Sequence, residues 1–388
     1  MSDIPLLNPG NETFGDWFIP VVIPVISFLI TFLLMPAIIR AGVRFELTDK
    51  PDQRKLHKNP IPTLGGIGIF LGFFLTSVTF MIFSGNTQFY YIIASLIILF
   101  VLGILDDLKD LSPSKKFLVQ FITAFLIAFS GIRIEGFYGF LGIQEIPVWF
   151  QYMLTIVIIV GVTNAFNLID GIDGLAGGVS FINTTLIGII FLLAGESVFS
   201  ILAFALAGSL LAFLYYNFHP AKIFMGDTGS LIIGFTLAVI GILIIQKATV
   251  ITESLNLNGN IMIVMVGIFL IPVYDTLRVF IVRMKNKKSP FRPDKNHIHH
   301  LLIETGYNHT RSALVLYFSN LVIIGAGFMM KTLNPNFAIP VLFILAILMT
   351  EMLNIRRIIL NQIRERFLHK KADEIFSENR FLSKNLDK

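Results

Sequence analysis

The sequence predicts an all-α integral membrane protein of about eleven transmembrane helices, with its N-terminus outside and its C-terminus in the cytoplasm. Three observations carry that prediction. Hydrophobic residues make up 55% of the 388 and charged residues only 14%, against roughly 25% charged in a soluble domain. Apolar runs long enough to cross a hydrocarbon core of about 30 Å recur along the chain. Lys and Arg gather in alternate connections, as the orientation rule for cytoplasmic loops requires.

The apolar runs lie at about 17–39, 65–84, 89–105, 117–134, 148–163, 175–194, 198–215, 229–247, 260–281, 312–330 and 337–355. In lipid every backbone polar group must be paired within its own segment, so each run is read as a helix. The first run has no basic residue ahead of it and is longer than a signal-peptide core, so it reads as a retained first span. Residues 1–355 then form one polytopic domain, with cytoplasmic loops at about 40–64, 106–116, 164–174, 216–228 and 282–311. Residues 356–388 form a basic cytoplasmic tail suited to lie on anionic lipid.

With the N-terminus outside, 27 of the 30 Lys and Arg fall on the inside, and only Arg133, Lys247 and Lys331 fall outside. The basic residues follow topology, so the net positive charge does not point to nucleic acid. The absence of cysteine excludes disulfides, thiol catalysis and cysteine-based metal sites.

Five polar clusters interrupt this apolar chain: KLHKNPIPTLGG, LDDLKD, NAFNLIDGIDGL, YYNFHPAKIFMGDTGS and KSPFRPDKNHIHH. They follow spans one, three, five, seven and nine, so parity puts all five on the cytoplasmic face. Carboxylates, an asparagine, lysines and histidines gathered at one surface suit a hard divalent cation and phosphates. A transport pathway would string charge through the span centres instead, in broken helices, and these centres are almost free of it.

Asp106 and Asp107 directly follow a span, where ionisable groups are costly and adjacent like charges favour a bound cation. Asn167, Asp170 and Asp173 recur every third residue, one slanted stripe on a helix, although Asp173 would equally suit an N-cap. Asp227 precedes the eighth span between two glycines, as a metal ligand or as that helix's N-cap, and Phe224 offers a ring for a base or for the membrane interface. His297, His299 and His300 match no zinc signature; beside Arg292 and Lys295 they suit phosphate oxygens. Lys58 and Thr63 flank a turn into the second span. Asp275 and Arg278 have the spacing of an ion pair within one helix.

Taken in order, LDD, NLIDGIDG, FMGDTGSL and HIHH resemble the polyprenyl-phosphate N-acetylhexosamine-1-phosphate transferases, from about Arg54 to about Gly306. The resemblance implies an activity. A polyprenyl phosphate, in bacteria undecaprenyl phosphate, attacks the β-phosphorus of a UDP-N-acetylhexosamine and releases UMP, with Mg²⁺ (or Mn²⁺) required. It implies Asp227 as a metal ligand and Asn167 as a second. Asp106 and Asp107 would be the catalytic acidic pair, joined by His299 and His300. Asp173, Asn217 and Phe224 would meet the uracil. Lys58, Thr63, Lys116, Asp170, Arg292 and His297 would line the substrate path.

HIHH followed by LLIETGYNH looks like the branch using UDP-N-acetylglucosamine. The peptidoglycan translocase, with three consecutive histidines, is the alternative. The additional span and basic tail suggest a polysaccharide-initiating enzyme of a bacterial inner membrane, and the family suggests a homodimer. A non-catalytic scaffold of the same fold would bind the UDP-sugar without turning it over.

Overall fold

The computed structural model describes residues 14–49, 60–81, 85–254, 260–289 and 296–386. Lys58 and Arg292 lie outside the described residues. The architecture is helical, as the sequence predicts. In chain order the helices are α1 Phe14–Arg44, α2 Gly65–Met81, α3 Thr87–Lys109, α4 Pro113–Phe129, α5 Val148–Ile169, α6 Leu175–Leu193 and α7 Ser197–Asn217. They continue with α8 Gly226–Gln246, α9 Ala248–Ser254, α10 Ile261–Lys285, α11 Ile298–Glu304, α12 His309–Met329 and α13 Pro335–Leu386. Two short strands, β1 Thr48–Asp49 and β2 Ile61–Pro62, pair antiparallel with Thr48 opposite Pro62.

Among the described residues nine helices are long and apolar enough to cross a membrane, so the chain is a multi-pass membrane protein. A helix lies in each of the eleven expected runs, but α4 is only 17 residues long and the described part of α2 is 17. That is near the lower end for a span. The expected fourth run stopped at 134; α4 ends at Phe129 because Ser130 and Gly131 form a turn, with Gly131 at a φ of 92°. The last span and the tail form one continuous helix, α13.

The bundle is organised around α8. Every residue of that helix from Thr228 to Ile244 is buried, as expected of a helix apolar on all sides. α5 and α3 pack on two of its sides, and α2 crosses its start. α1, α2, α6 and α7 form a neighbouring layer, while α10, α12 and α13 close the other side. Lipid tails are as apolar as leucine, so close packing and interhelical hydrogen bonds must hold such helices together. One set of bonds ties three helices: Asn320 on α12 donates to Asn183 on α6 at 2.8 Å, and Asn183 donates to the Ile268 carbonyl on α10 at 2.8 Å.

The helices run further toward the site than the apolar runs do. The third run was expected to end at 105, yet α3 continues to Lys109, so Asp106 and Asp107 lie within the helix. The fifth was expected to end at 163, yet α5 continues to Ile169 and carries Asn167. Hydropathy fades at a polar residue, whereas a helix continues while its polar side chains find partners.

Replacing Asn183 by Leu is expected to lower stability by about 1 kcal/mol, the scale of a bond between helices in a membrane. Thermal unfolding in detergent would read this as a lower Tm. An unchanged Tm would show that the asparagine pair does not hold the layers together.

Candidate active site

The described parts of the connections after α1, α3, α5, α7 and α10 meet at one end of the bundle, so the described residues of the five polar clusters come together. Backbone bonds join the first and fourth: Phe224 N donates to the Pro62 carbonyl at 2.7 Å, and Gly65 N to the Phe224 carbonyl at 2.9 Å. They enclose a cavity of about 690 Å³ lined by Thr63, Asp106, Asp107, Asn167, Asp170, Asp173, Asn217, Phe224, Asp227, His300 and His309, among others.

Asp107 is turned inward onto the start of α8. Its carboxylate accepts from Asp227 N at 2.7 Å, Thr228 N at 3.1 Å and Thr228 Oγ1 at 2.5 Å. It therefore does from α3 what an N-cap does from within a chain: it occupies amides that the first turn leaves unpaired. The expectation that Asp227 caps α8 is not met, since Asp227 lies in the first turn. Gly226 stands at a φ of 70°, and a side chain there would run into Asp107 and Thr63. A tight glycine turn and a borrowed cap thus aim Asp227 into the cavity.

Lys116, in the first turns of α4, bridges two acids. It pairs with Asp106 and lies 3.0 Å from Asp227 Oδ2. Asp106 also accepts from Leu111 N at 2.8 Å. Asn167 Nδ2 lies 2.5 Å from Asp227 Oδ1 and 2.8 Å from Ser230 Oγ. This end of the cavity thus offers oxygen donors from Asp106, Asp227 and Asn167, whose amide presents its oxygen after a half-turn. Deeper in, Asp170 ends α5. Burial, then the charges of Asp227, Asp107 and Asp173, push its carboxyl up to about 7. Several carboxylates with Lys116 between two of them, all offering oxygen, fit a hard divalent cation.

At the other end Asp173 does not cap α6, which begins after Gly174. Its Oδ2 lies 2.7 Å from His219 Nδ1 and 3.3 Å from Ala221 N, and its Oδ1 lies 3.2 Å from His309 Nδ1. Burial works to raise this carboxyl, but the two histidines outweigh it and hold it below the usual range. Asn217 is spent on the loops: it accepts from Gly174 N and donates to the Ile223 carbonyl, both at 2.8 Å. Phe224 also lines the cavity.

The histidine segment forms the N-terminal half of α11. Asp275 on α10 accepts from Arg278 at 3.0 Å and from Ile298 N at 3.0 Å, and lies 2.8 Å from His297 Nδ1. The ion pair expected between Asp275 and Arg278 is present. His297 is buried against Asp275 and does not line the cavity, so the structure sets it behind the site. Its ring stacks parallel to that of His299 at 5.7 Å, and His299 lies 4.3 Å from His300, which does line the cavity. A side chain at Gly171 would collide with His299, so this glycine lets α11 close on the α5–α6 turn. From behind, Arg356 of α13 bonds and stacks on Tyr307, and Arg357 pairs with Glu304 at 3.2 Å.

A second cavity, about 570 Å³ and almost wholly apolar, runs between α4, α5, α8 and α10. Phe117 and Asn164 line it, the one adjacent to Lys116 and the other one turn before Asn167, so part of the groove wall lies beside residues of the acidic cavity.

Residues 89–245 match the model of glycosyl transferase family 4. A probable undecaprenyl-phosphate N-acetylglucosaminyl 1-phosphate transferase of Bacillus subtilis is 36% identical over 85% of this chain and 90% of its own length. The chain belongs to this family. An undecaprenyl-phosphate alpha-N-acetylglucosaminyl 1-phosphate transferase of Yersinia pestis is 31% identical over 84% of this chain and 89% of its own. A decaprenyl-phosphate N-acetylglucosaminephosphotransferase of Mycolicibacterium smegmatis is 30% identical over 74% of this chain and 76% of its own.

Within this family member, sequence reasoning missed His219 and His309. Both stood inside quoted segments, YYNFHPAK and LLIETGYNH, but single histidines carry no periodic signal. Only the fold brings them to Asp173.

His299 makes a pH prediction. Burial, followed by the neighbouring His300, pushes its imidazole down to about 3, so it is neutral in the folded protein. An unfolded histidine takes up a proton below about 6.5. The unfolded state therefore binds more protons between those values, and this group weakens the fold as pH falls from 6.5 toward 3. Unfolding in detergent across that range should show a shallower acid loss in His299→Gln than in the parent. An identical slope would mean that the ring titrates normally.

Proposed function

We propose that this protein transfers N-acetylglucosamine-1-phosphate from UDP-N-acetylglucosamine to undecaprenyl phosphate in a bacterial inner membrane, releasing UMP at the cytoplasmic face. The observation that carries the reading is an acidic cavity whose Asp106 and Asp227 are bridged by Lys116, with an apolar groove lined by the next residue, Phe117. A water-soluble diphosphate and a membrane-embedded phosphate need such neighbouring surfaces to meet. The names of the relatives supply the sugar and the lipid class, and favour this branch over the peptidoglycan translocase.

The acceptor's isoprenoid chain lies in the groove between α4, α5, α8 and α10, with its phosphate near Lys116. A phosphate oxygen of the lipid attacks the β-phosphorus of the donor. The bond from that phosphorus to the bridging oxygen breaks, and UMP leaves with that oxygen. Asp227, Asn167 and Asp106 would hold Mg²⁺, or Mn²⁺ in its place, which neutralises charge on the diphosphate. Asp107 keeps Asp227 in place from behind. Lys116 and Lys58 offset phosphate charge, and Thr63 borders the donor path.

The uracil stacks at Phe224, near Asp173 and Asn217. Asp170 bounds the deep end of the diphosphate path, and Arg292 meets the same phosphates. His300 donates to a phosphate oxygen, while His297 and His299 hold it in position. A lipid phosphate with a second pKa near 6 is already largely dianionic at neutral pH, so Asp106 serves by ordering Lys116 and the cation more than by removing a proton. Arg356 and Arg357 of α13 contact the segment after α10 at the same face, and two copies of the chain associate in the membrane.

The test is purified protein in detergent with undecaprenyl phosphate and Mg²⁺, given UDP-N-acetylglucosamine or UDP-MurNAc-pentapeptide. UMP release from the first donor alone is expected, falling by roughly 100-fold or more in Asp227→Ala and Asp106→Asn. Release from the second donor alone would overturn the branch. Release by both variants at the parental rate would overturn the site.

A further inference from the structure

Tyr317 of α12 reaches the α5–α6 turn from outside the cavity. It lies about two turns into its helix. A long side chain on a helix leans back toward the helix N-terminus, here toward the end of the bundle that holds the cavity. The ring passes along α6 at Gly178, where an added Cβ would stand 2.0 Å from the tyrosine oxygen and 2.1 Å from Cζ. The hydroxyl donates to the Gly174 carbonyl at 2.5 Å.

Gly174 follows Asp173 directly and stands at a φ of 78°. Glycine meets little steric resistance to leaving such a conformation, so the turn needs bonds to hold it. The Gly174 N–H donates to Asn217 Oδ1 at 2.8 Å. The Gly174 carbonyl accepts from Gly178 N at 2.9 Å, which begins α6, and gives its second lone pair to Tyr317. Gly174 is therefore held by α7 on one side and by α12 on the other. α12 also meets Asp173 itself, with His309 Nδ1 at 3.2 Å from Oδ1. Asp173, Asn217 and Phe224 all line the cavity, whereas Tyr317 does not.

We propose that Tyr317 is a positioning residue for the nucleobase end of the donor site: its bond to the Gly174 carbonyl holds Asp173 in the orientation that meets the uracil. The inference rests on the reading of Asp173, Asn217 and Phe224 as nucleobase contacts. To that reading it adds a specificity element from α12, beyond the residues 89–245 that match the family. An ionised carboxylate only accepts hydrogen bonds, and uracil offers it an N3–H that cytosine lacks. Removing the tyrosine hydroxyl leaves the Gly174 carbonyl its bond to α6, so the fold persists while the turn loosens. The base is then read less sharply, and the phosphates and the lipid meet an unchanged site.

The experiment uses the full chain in detergent and reads formation of the lipid product. UMP and CMP, which differ only in the base, are compared as inhibitors, and KM and kcat are measured for donor and acceptor. In Tyr317→Phe, UMP should inhibit roughly three- to tenfold more weakly, the scale of one hydrogen bond, with donor KM rising in step. CMP inhibition, acceptor KM and kcat should stay near the parental values. Gly178→Ala, which pushes the intact hydroxyl off the carbonyl, should shift UMP inhibition in the same direction. Equal weakening of UMP and CMP, or a loss confined to kcat and melting temperature, would overturn the proposal in favour of a structural role. Parental UMP inhibition in Tyr317→Phe would overturn it too, with the nucleobase reading left standing if Asp173→Asn and Phe224→Ala weaken UMP. If those two variants also inhibit like the parent, the nucleobase reading falls and the role of Tyr317 falls with it.

Discussion

The bond from Asp107 to the first turn of α8 is the constraint on which the site depends. α8 is the most enclosed helix of the bundle, and its first amides open into the cavity. In a membrane protein such amides need a partner from the protein itself, and α3 supplies it as the carboxylate of Asp107. The same contact fixes where Asp227 points, because Asp227 follows the tight turn at Gly226 and donates its own N–H to Asp107. Lys116, Asp106 and Asn167 then assemble around Asp227. A single acid thereby stabilises the helix and aligns the group that most favours a cation.

Charge balance gives the site its chemistry. Several carboxylates face one cavity, and Lys116 is the cation placed between two of them. Under the proposed reading a metal ion and an anionic diphosphate would balance these charges. Phosphoryl transfer asks mainly for positioned positive charge, so acids bridged by a lysine suit the proposed reaction. In the same proposal the apolar groove would hold the lipid acceptor.

Much of this was legible in the sequence, for physical reasons that also mark where it ended. Lipid forces each span to pair its own backbone, so helices such as α6 and α8 follow from hydropathy. Parity of the spans then brought Asp106, Asn167, Asp227 and His300 to one end without any knowledge of packing. Helix ends were misplaced at α3 and α5, because Asp106, Asp107 and Asn167 are polar yet remain helical through partners distant in sequence. The cap from Asp107 to α8 spans about 120 residues and leaves no local signature. All three histidines of the motif were expected at the site, but His297 is held behind it by Asp275, His299 is buried, and only His300 lines the cavity. His219 and His309 needed the complete fold to become a group.

The most direct test is pulsed EPR of Mn²⁺ bound to the purified protein, comparing the parent with Asp227→Ala and Asp107→Ala. The account predicts an oxygen-ligated ion, free of histidine nitrogen coupling, whose affinity falls at least roughly tenfold in both variants, a loss of about 1.4 kcal/mol. The loss in Asp107→Ala would come although Asp107 is no ligand, because the helix start that aims Asp227 is no longer held. Parental affinity for that ion in Asp107→Ala would contradict the claim that this contact builds the site.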